Sequence, residues 1–183
     1  TLFRSTMSKV VVDATCYESQ VRYPTNQKLL WESVKFLFSA MKTMCKKAGF
    51  KPVRTKYRGW EARYNAYSRK KRKSKKEKRA LTRALLKLLD KLDKALDELD
   101  TQYTFEDKKT YTRQRTIIKK VLVQQQQIFT TGTPPQHRIV SLFKPYLRPI
   151  VRGKEVKKVE FGAKVNKIQV DGINFIEIGR AHV

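Results

Sequence analysis

The residue best placed to do chemistry is Asp13, which directly follows the run Val10, Val11 and Val12. An unbroken β-branched run reads as a strand covered on both faces, and therefore a central one. A carboxylate at the end of such a strand is costly to bury unless it is paired or holds a metal. On the residues alone two readings stay open: a metal-binding acid, or a strand-end acid that accepts bonds from nearby backbone N–H groups.

The second group with chemical character is cationic. Lys46–Arg83 carries 17 Lys and Arg against only Glu61 and Glu77. The candidates for contact with DNA are Arg54, Lys56, Arg58, Arg63 and Arg69, followed by Lys70, Lys71, Arg72, Lys73, Lys75, Lys76, Lys78 and Arg79. Tyr57, Trp60, Tyr64 and Tyr67 recur among them at helix-like intervals. Basic groups beside aromatic rings suit phosphate neutralisation with ring packing against sugar or base. The alternative is a helix whose rings pack inward and whose lysines are merely solvated. For the rings the inward reading is preferred. For the charge block DNA is preferred, because so dense a positive run is hard to rationalise as solubility alone.

Composition points the same way. The 183 residues carry a formal net charge of +26, from 42 Lys and Arg against 16 Asp and Glu. Self-repulsion on that scale is offset by a polyanion: nucleic acid first, an anionic membrane surface second. No apolar run reaches the length of a membrane span, and no charged-then-apolar signal pattern opens the chain. The basic block also lacks a clear apolar face beyond its aromatics, so no membrane partner is expected. Cys16 and Cys45 have neither metal-ligand nor disulfide-framework spacing, which suggests a reduced, cytoplasmic setting. Thr1 stands where an initiator Met would, so the chain is expected to be truncated at the front.

These groups must be held by elements that the pattern makes legible. Thr25 is the expected cap of a helix over Asn26–Ala48, whose apolar residues at spacings of three and four should pack on the sheet. Gly49 supplies its left-handed stop. Ala80–Asp100 reads as the strongest helix, with a seam of Leu81, Leu85, Leu88, Leu92, Ala95 and Leu99. Its charges run basic early and acidic late, against the macrodipole, so tertiary packing must hold it. Asp107–Phe129 is the expected antiparallel partner after a turn near Thr101–Thr104, with Tyr111, Ile118, Val121, Leu122, Gln125 and Phe129 on one face. Such a stripe is read as internal packing before dimerisation. TTGTPPQ (Thr130–Gln136) is a loop, and Pro145 and Pro149 exclude a long helix over Ile139–Val151. From Val156 the period becomes two, and Asp171–Gly172 marks a hairpin turn before a returning strand at Ile173 and Phe175.

Two blocks of the chain resemble a known family. VVVDATCYESQVRYPTNQKLLWESV (Val10–Val34) resembles the opening of the catalytic domain in DDE-type insertion-sequence transposases. PIVRGKEVKKVEFGAKVNKIQVDGINFIE (Pro149–Glu177) resembles a downstream block of the same proteins. The resemblance implies a ribonuclease H-like fold, a mixed five-stranded sheet flanked by helices. It also implies catalysis by two Asp and one Glu holding two divalent cations, Mg²⁺ or Mn²⁺. Paired cations stabilise the attacking and leaving oxygens of an in-line phosphodiester displacement.

Carried over by motif position, only Asp13 matches a catalytic and metal-binding residue, on a first strand that is central in the family. Glu155, Glu160, Asp171 and Glu177 match neither remaining acid, and the second Asp and the Glu belong to later elements. His137, in the Pro-Pro-Gln loop, is expected to face solvent. EIGRAHV (Glu177–Val183) can be encoded as GAG ATC GGA AGA GCA CAC GTC, which looks like a sequencing-library adaptor, so this tail is expected to be non-native and His182 to carry no role.

The expected class is α+β, an incomplete ribonuclease H-like fold. Residues 1–49 open the catalytic domain with its first strand and helix, and 50–130 form a basic helical insertion with a hairpin. Residues 131–176 supply a loop and a strand pair, and 177–183 the tail. The expected role is part of a DNA transposase whose intact parent cuts and rejoins DNA, possessing element ends and target as partners and acting as a dimer on DNA. This chain alone is expected to be inactive and to hold no cation tightly. The alternative is a non-enzymatic, basic helical nucleic-acid-binding protein.

Overall fold

The computed structural model describes residues 10–18, 24–102, 108–151, 159–170 and 173–178. The fold is α+β. In chain order it holds β1 (Val10–Glu18), α1 (Asn26–Ala48), α2 (Tyr57–Arg69), α3 (Lys75–Gln102), α4 (Lys108–Thr131), β2 (Arg148–Val151), β3 (Val159–Val170) and β4 (Ile173–Ile178). The chain divides into a helical unit, Pro24–Pro145, and a unit that contains the four strands.

In the sheet β3 is the shared strand. All its pairings are antiparallel: β1 lies along one edge, and β4 and the short β2 lie along the other. Asp13 sits opposite Lys167 in the β1–β3 register. Among the described residues β1 therefore has a single neighbour, whereas its valine run suggested a central strand. A continuous apolar run reports cover over both faces; it does not report how many strands flank it. β2 was not legible in advance, because Pro149 cannot donate to a ladder and is tolerated only toward a sheet edge. Val170 pairs with Ile173, and the expected Asp171–Gly172 turn between them lies outside the described residues. Phe161 is buried, while Val159, Ile173 and Phe175 leave apolar surface exposed on this sheet.

The helical unit has its own core. Thr25 caps α1, its Oγ1 accepting from the Lys28 N–H at 3.2 Å, and Gly49 ends the helix at φ 73°. The stripe of α1 is buried to the last atom at Leu30, Val34, Leu37, Met41 and Met44. That stripe, expected to cover the sheet, is filled by α3 and α4. Within the core the Gln27 amide donates to Thr82 Oγ1 at 2.8 Å. α3 buries the expected Leu81, Leu85, Leu88, Leu92 and Ala95, and also Leu86, Leu89 and Leu96. It is apolar on two sides because it packs on both α1 and α4.

The acidic end of α3 is answered by α4. Arg115, on the buried face of α4, has a side chain only 8% exposed. Its guanidinium donates to Asp93 Oδ1 at 3.1 Å, to Asp97 Oδ1 at 2.7 Å and to Asp100 Oδ2. Lys119 adds a bond to Asp97 at 3.0 Å. Burial alone would raise the Asp97 carboxyl; the Lys119 hydrogen bond and the charges of Arg115 and Lys119 outweigh it and hold the group below its ordinary value. Tyr111, packed beside this cluster, is pushed up to about 12, chiefly by burial. The cluster offsets the unfavourable order of charge along α3 that the macrodipole would penalise.

The loop after α4 is pinned back onto it. Gln124 Oε1 accepts from the Ile139 N–H at 2.9 Å, and the Gln114 amide donates to the Leu142 carbonyl at 3.1 Å. Pro24, Thr25 and Asn26 line the same small cavity as Arg138, Ile139 and Val140, so the two ends of the helical unit lie side by side. His137 is exposed, as expected.

Candidate nucleic-acid interface

α2 presents the first half of the basic stretch, and its rings decide how it sits. Phe38 of α1 stacks on Tyr57 with centroids 3.9 Å apart and planes within 2°. Trp31 of α1 lies between Tyr57 and Tyr64, at 5.4 and 5.1 Å. Stacked rings of this kind add to the energy of area burial. The aromatic side of α2 is thus used to hold the helix against α1, and the cations Arg58, Arg63 and Arg69 are left exposed.

The run that follows is split by a short turn. α2 stops at Arg69, residues 70–74 are non-helical, and α3 starts at Lys75. Ser74 fixes that start. Its Oγ accepts from the Glu77 N–H at 3.1 Å and lies 3.3 Å from Glu77 Oε2, a capping box. The sequence carried this signal as Ser-Lys-Lys-Glu, hidden inside the charge run, and the helix consequently begins five residues before the expected Ala80.

Lys70, Lys71, Arg72 and Lys73 sit on the turn, and Lys75, Lys76, Lys78 and Arg79 on the first turns of α3; all are exposed. Lys70 bonds to Glu77, and its hydrogen bond is the main reason that the Glu77 carboxyl lies below its ordinary value. Lys73 lies over the Tyr67 ring at 5.5 Å and Arg79 over Phe129 at 5.2 Å. No salt bridge among the described residues engages Lys71, Arg72, Lys75, Lys76 or Lys78, so one acid stands against a cluster of cations at this tip.

Arg54 and Lys56 are elsewhere. They belong to an open groove of about 710 Å³ between the segment before α2 and the face of α3. Its other cations are Arg83, Lys87 and Lys91, and Trp60 forms part of its wall. Lys91 Nζ donates to the Arg54 carbonyl at 2.9 Å and ties the two sides together. Lys87 and Lys91 were not among the expected contacts, and Arg83 entered only as the end of the basic stretch. Their spacing of four residues places them on one helical face and was the available signal.

The strand side offers less. Asp13 is placed on β1, but its side chain is not described. Among the described residues no three His, Cys, Asp or Glu come together to form a group able to hold a metal ion. Glu155 and His182 lie outside the described residues. No described helix is long and apolar enough to cross a membrane. No family model, no curated protein and no solved structure matches this chain.

Proposed function

We propose that the helical unit binds nucleic acid through its basic tip, and that the chain is part of a DDE-type transposase in which β1 contributes Asp13 as one metal-binding acid. The observation that carries the first statement is the exposed cluster Lys70–Arg79, split between a turn and a capped helix start and countered only by Glu77. Cations held on a rigid scaffold neutralise phosphates and release condensed counterions. Strand order supports the second statement. The resemblance places β1, β3 and β4 as its first three strands, and the antiparallel order β1–β3–β4 agrees with that placement. An edge position for β1 is what a sheet of this type has before its later strands are added. When bound, two divalent cations would supply charge stabilisation to the attacking and leaving oxygens.

A second reading, a non-enzymatic helical nucleic-acid-binding protein, is favoured by one observation: the helical unit packs a core of its own.

The test of the shared statement is binding of an arbitrary duplex followed by fluorescence anisotropy. If about six phosphates are neutralised, affinity falls by about three orders of magnitude between roughly 50 and 200 mM salt. Salt-insensitive binding, or none at low salt, would refute it. The two readings separate in a copy that continues past Glu177. The transposase reading expects an Asp after one more strand and a Glu on a later helix. It also expects Asp13→Ala to abolish strand cleavage while leaving DNA binding nearly unchanged.

A further inference from the structure

The groove beside Trp60 differs in character from the basic tip. The tip is a cluster of exposed cations on a turn and a helix start. The groove is concave, with Ala80, Ala84, Leu88 and Trp60 as an apolar lining and cations around it. Arg54 and Lys56 stand on one side, and Arg83, Lys87 and Lys91 on the other. No acidic residue lines it. Arg83 is further held over the Phe129 ring of α4 at 5.8 Å, which restrains its guanidinium.

The lining decides which form of nucleic acid fits. The groove is of the size that takes a few rings, and a duplex, whose bases are stacked inside, cannot present them to an apolar lining. A short run of one strand can. Its bases would meet the apolar lining and the indole, and its phosphates the surrounding cations, which is the general chemistry of single-strand binding. We propose that this groove is a binding site for single-stranded nucleic acid, separate from the tip and using Trp60 as its aromatic surface. The proposal rests on the nucleic-acid reading of the helical unit and adds to it the form of the ligand and the residues that take it.

The test uses the full chain, a labelled 12-nucleotide oligo-dT and a 20-base-pair duplex. Arg54→Glu/Lys87→Glu reverses one exposed cation on each side of the groove. Lys71→Glu/Arg72→Glu reverses two at the tip. The groove variant should lose tenfold or more in oligo-dT affinity and about threefold or less for the duplex; the tip variant should show the reverse preference. With five cations engaged, log affinity for oligo-dT should fall against log salt with a slope of about −3.5.

Oligo-dT should also quench tryptophan emission. The quenching should survive Trp31→Phe, since Trp31 is buried, and disappear in Trp60→Phe. Unchanged circular dichroism in each variant guards against misfolding. Equal losses for both oligonucleotides in both variants would overturn the groove as a separate site while leaving duplex binding intact. Quenching by a poly-glutamate peptide equal to that by oligo-dT would overturn it as well, by showing a general anion site. Failure of both oligonucleotides to bind at low salt would instead remove the underlying nucleic-acid reading.

Discussion

Replacing Arg115 by Met should cost the helical unit about 3 kcal/mol. Breaking a buried ion pair by removing one partner costs about 3–5 kcal/mol, because the remaining charge stays desolvated and unpaired. Here the remaining charges are three carboxylates on the last turns of α3, spaced so that they face one another. Asp93 is the costly one, with a side chain 14% exposed and Lys119 as its remaining partner at 3.8 Å. Asp97 and Asp100 are 55% and 35% exposed, so water can take over much of their share. That places the loss at the low end of the range. With a urea m-value of about 2 kcal/mol per M, the midpoint should fall by about 1.5 M. The assay is urea denaturation of the full chain followed by helical circular dichroism. Adding Asp93→Leu to Arg115→Met should recover most of the loss, since an apolar pair of similar volume is often as stable as the ion pair it replaces. A loss below about 1 kcal/mol for Arg115→Met, or no recovery in the double variant, would refute the assignment of Arg115 as the residue that holds the acidic end of α3.

Two further perturbations follow from the described geometry. Ser74→Ala removes the α3 cap and should cost about 1 kcal/mol, read as a lower thermal midpoint, with Ser74→Thr near wild type. At alkaline pH the Tyr111 phenol is raised in the folded state to about 12, against an ordinary value near 10. Its contribution is therefore fully present below about pH 10 and is lost as pH rises through about 12, up to about 3 kcal/mol. Absorbance titration at about 295 nm should show a tyrosine titrating near 12 that Tyr111→Phe removes.

How far the sequence could be read depended on whether one residue carried the whole signal. α1 was legible end to end because Thr25 and Gly49 each state a boundary and the apolar spacing between them has one period. α3 was legible as a seam but not as a helix covered on two sides. A search for one stripe finds Leu81, Leu85 and Leu88 and passes over Leu86, Leu89 and Leu96. Arg115 was invisible because a charged residue on an apolar face is ordinarily read as its polar edge; only the three aspartates of α3, brought opposite it by the hairpin, make it a core residue. The basic stretch is visible in the sequence, but its division into a tip and a groove depends on the turn at 70–74, which a uniform run of Lys and Arg conceals. Asp13 was placed on its strand by the valines, whereas the number of strands beside it is set by pairing partners elsewhere in the chain.

The side-by-side ends of the helical unit bear on how the sheet assembles. Glu18 pairs with Gly162, roughly 140 residues along the chain, and such a pairing carries a large loop-closure entropy. A helical unit that packs its own core brings residues near 24 and 140 together, and leaves an effective loop of roughly 30 residues, a little over two doublings shorter. At about 0.6 kcal/mol for each doubling, this lowers the entropic cost of joining β1 and β3 by about 1.4 kcal/mol. The helices between the two strands thus act as a clasp that lowers the closure cost of a strand pair distant in sequence.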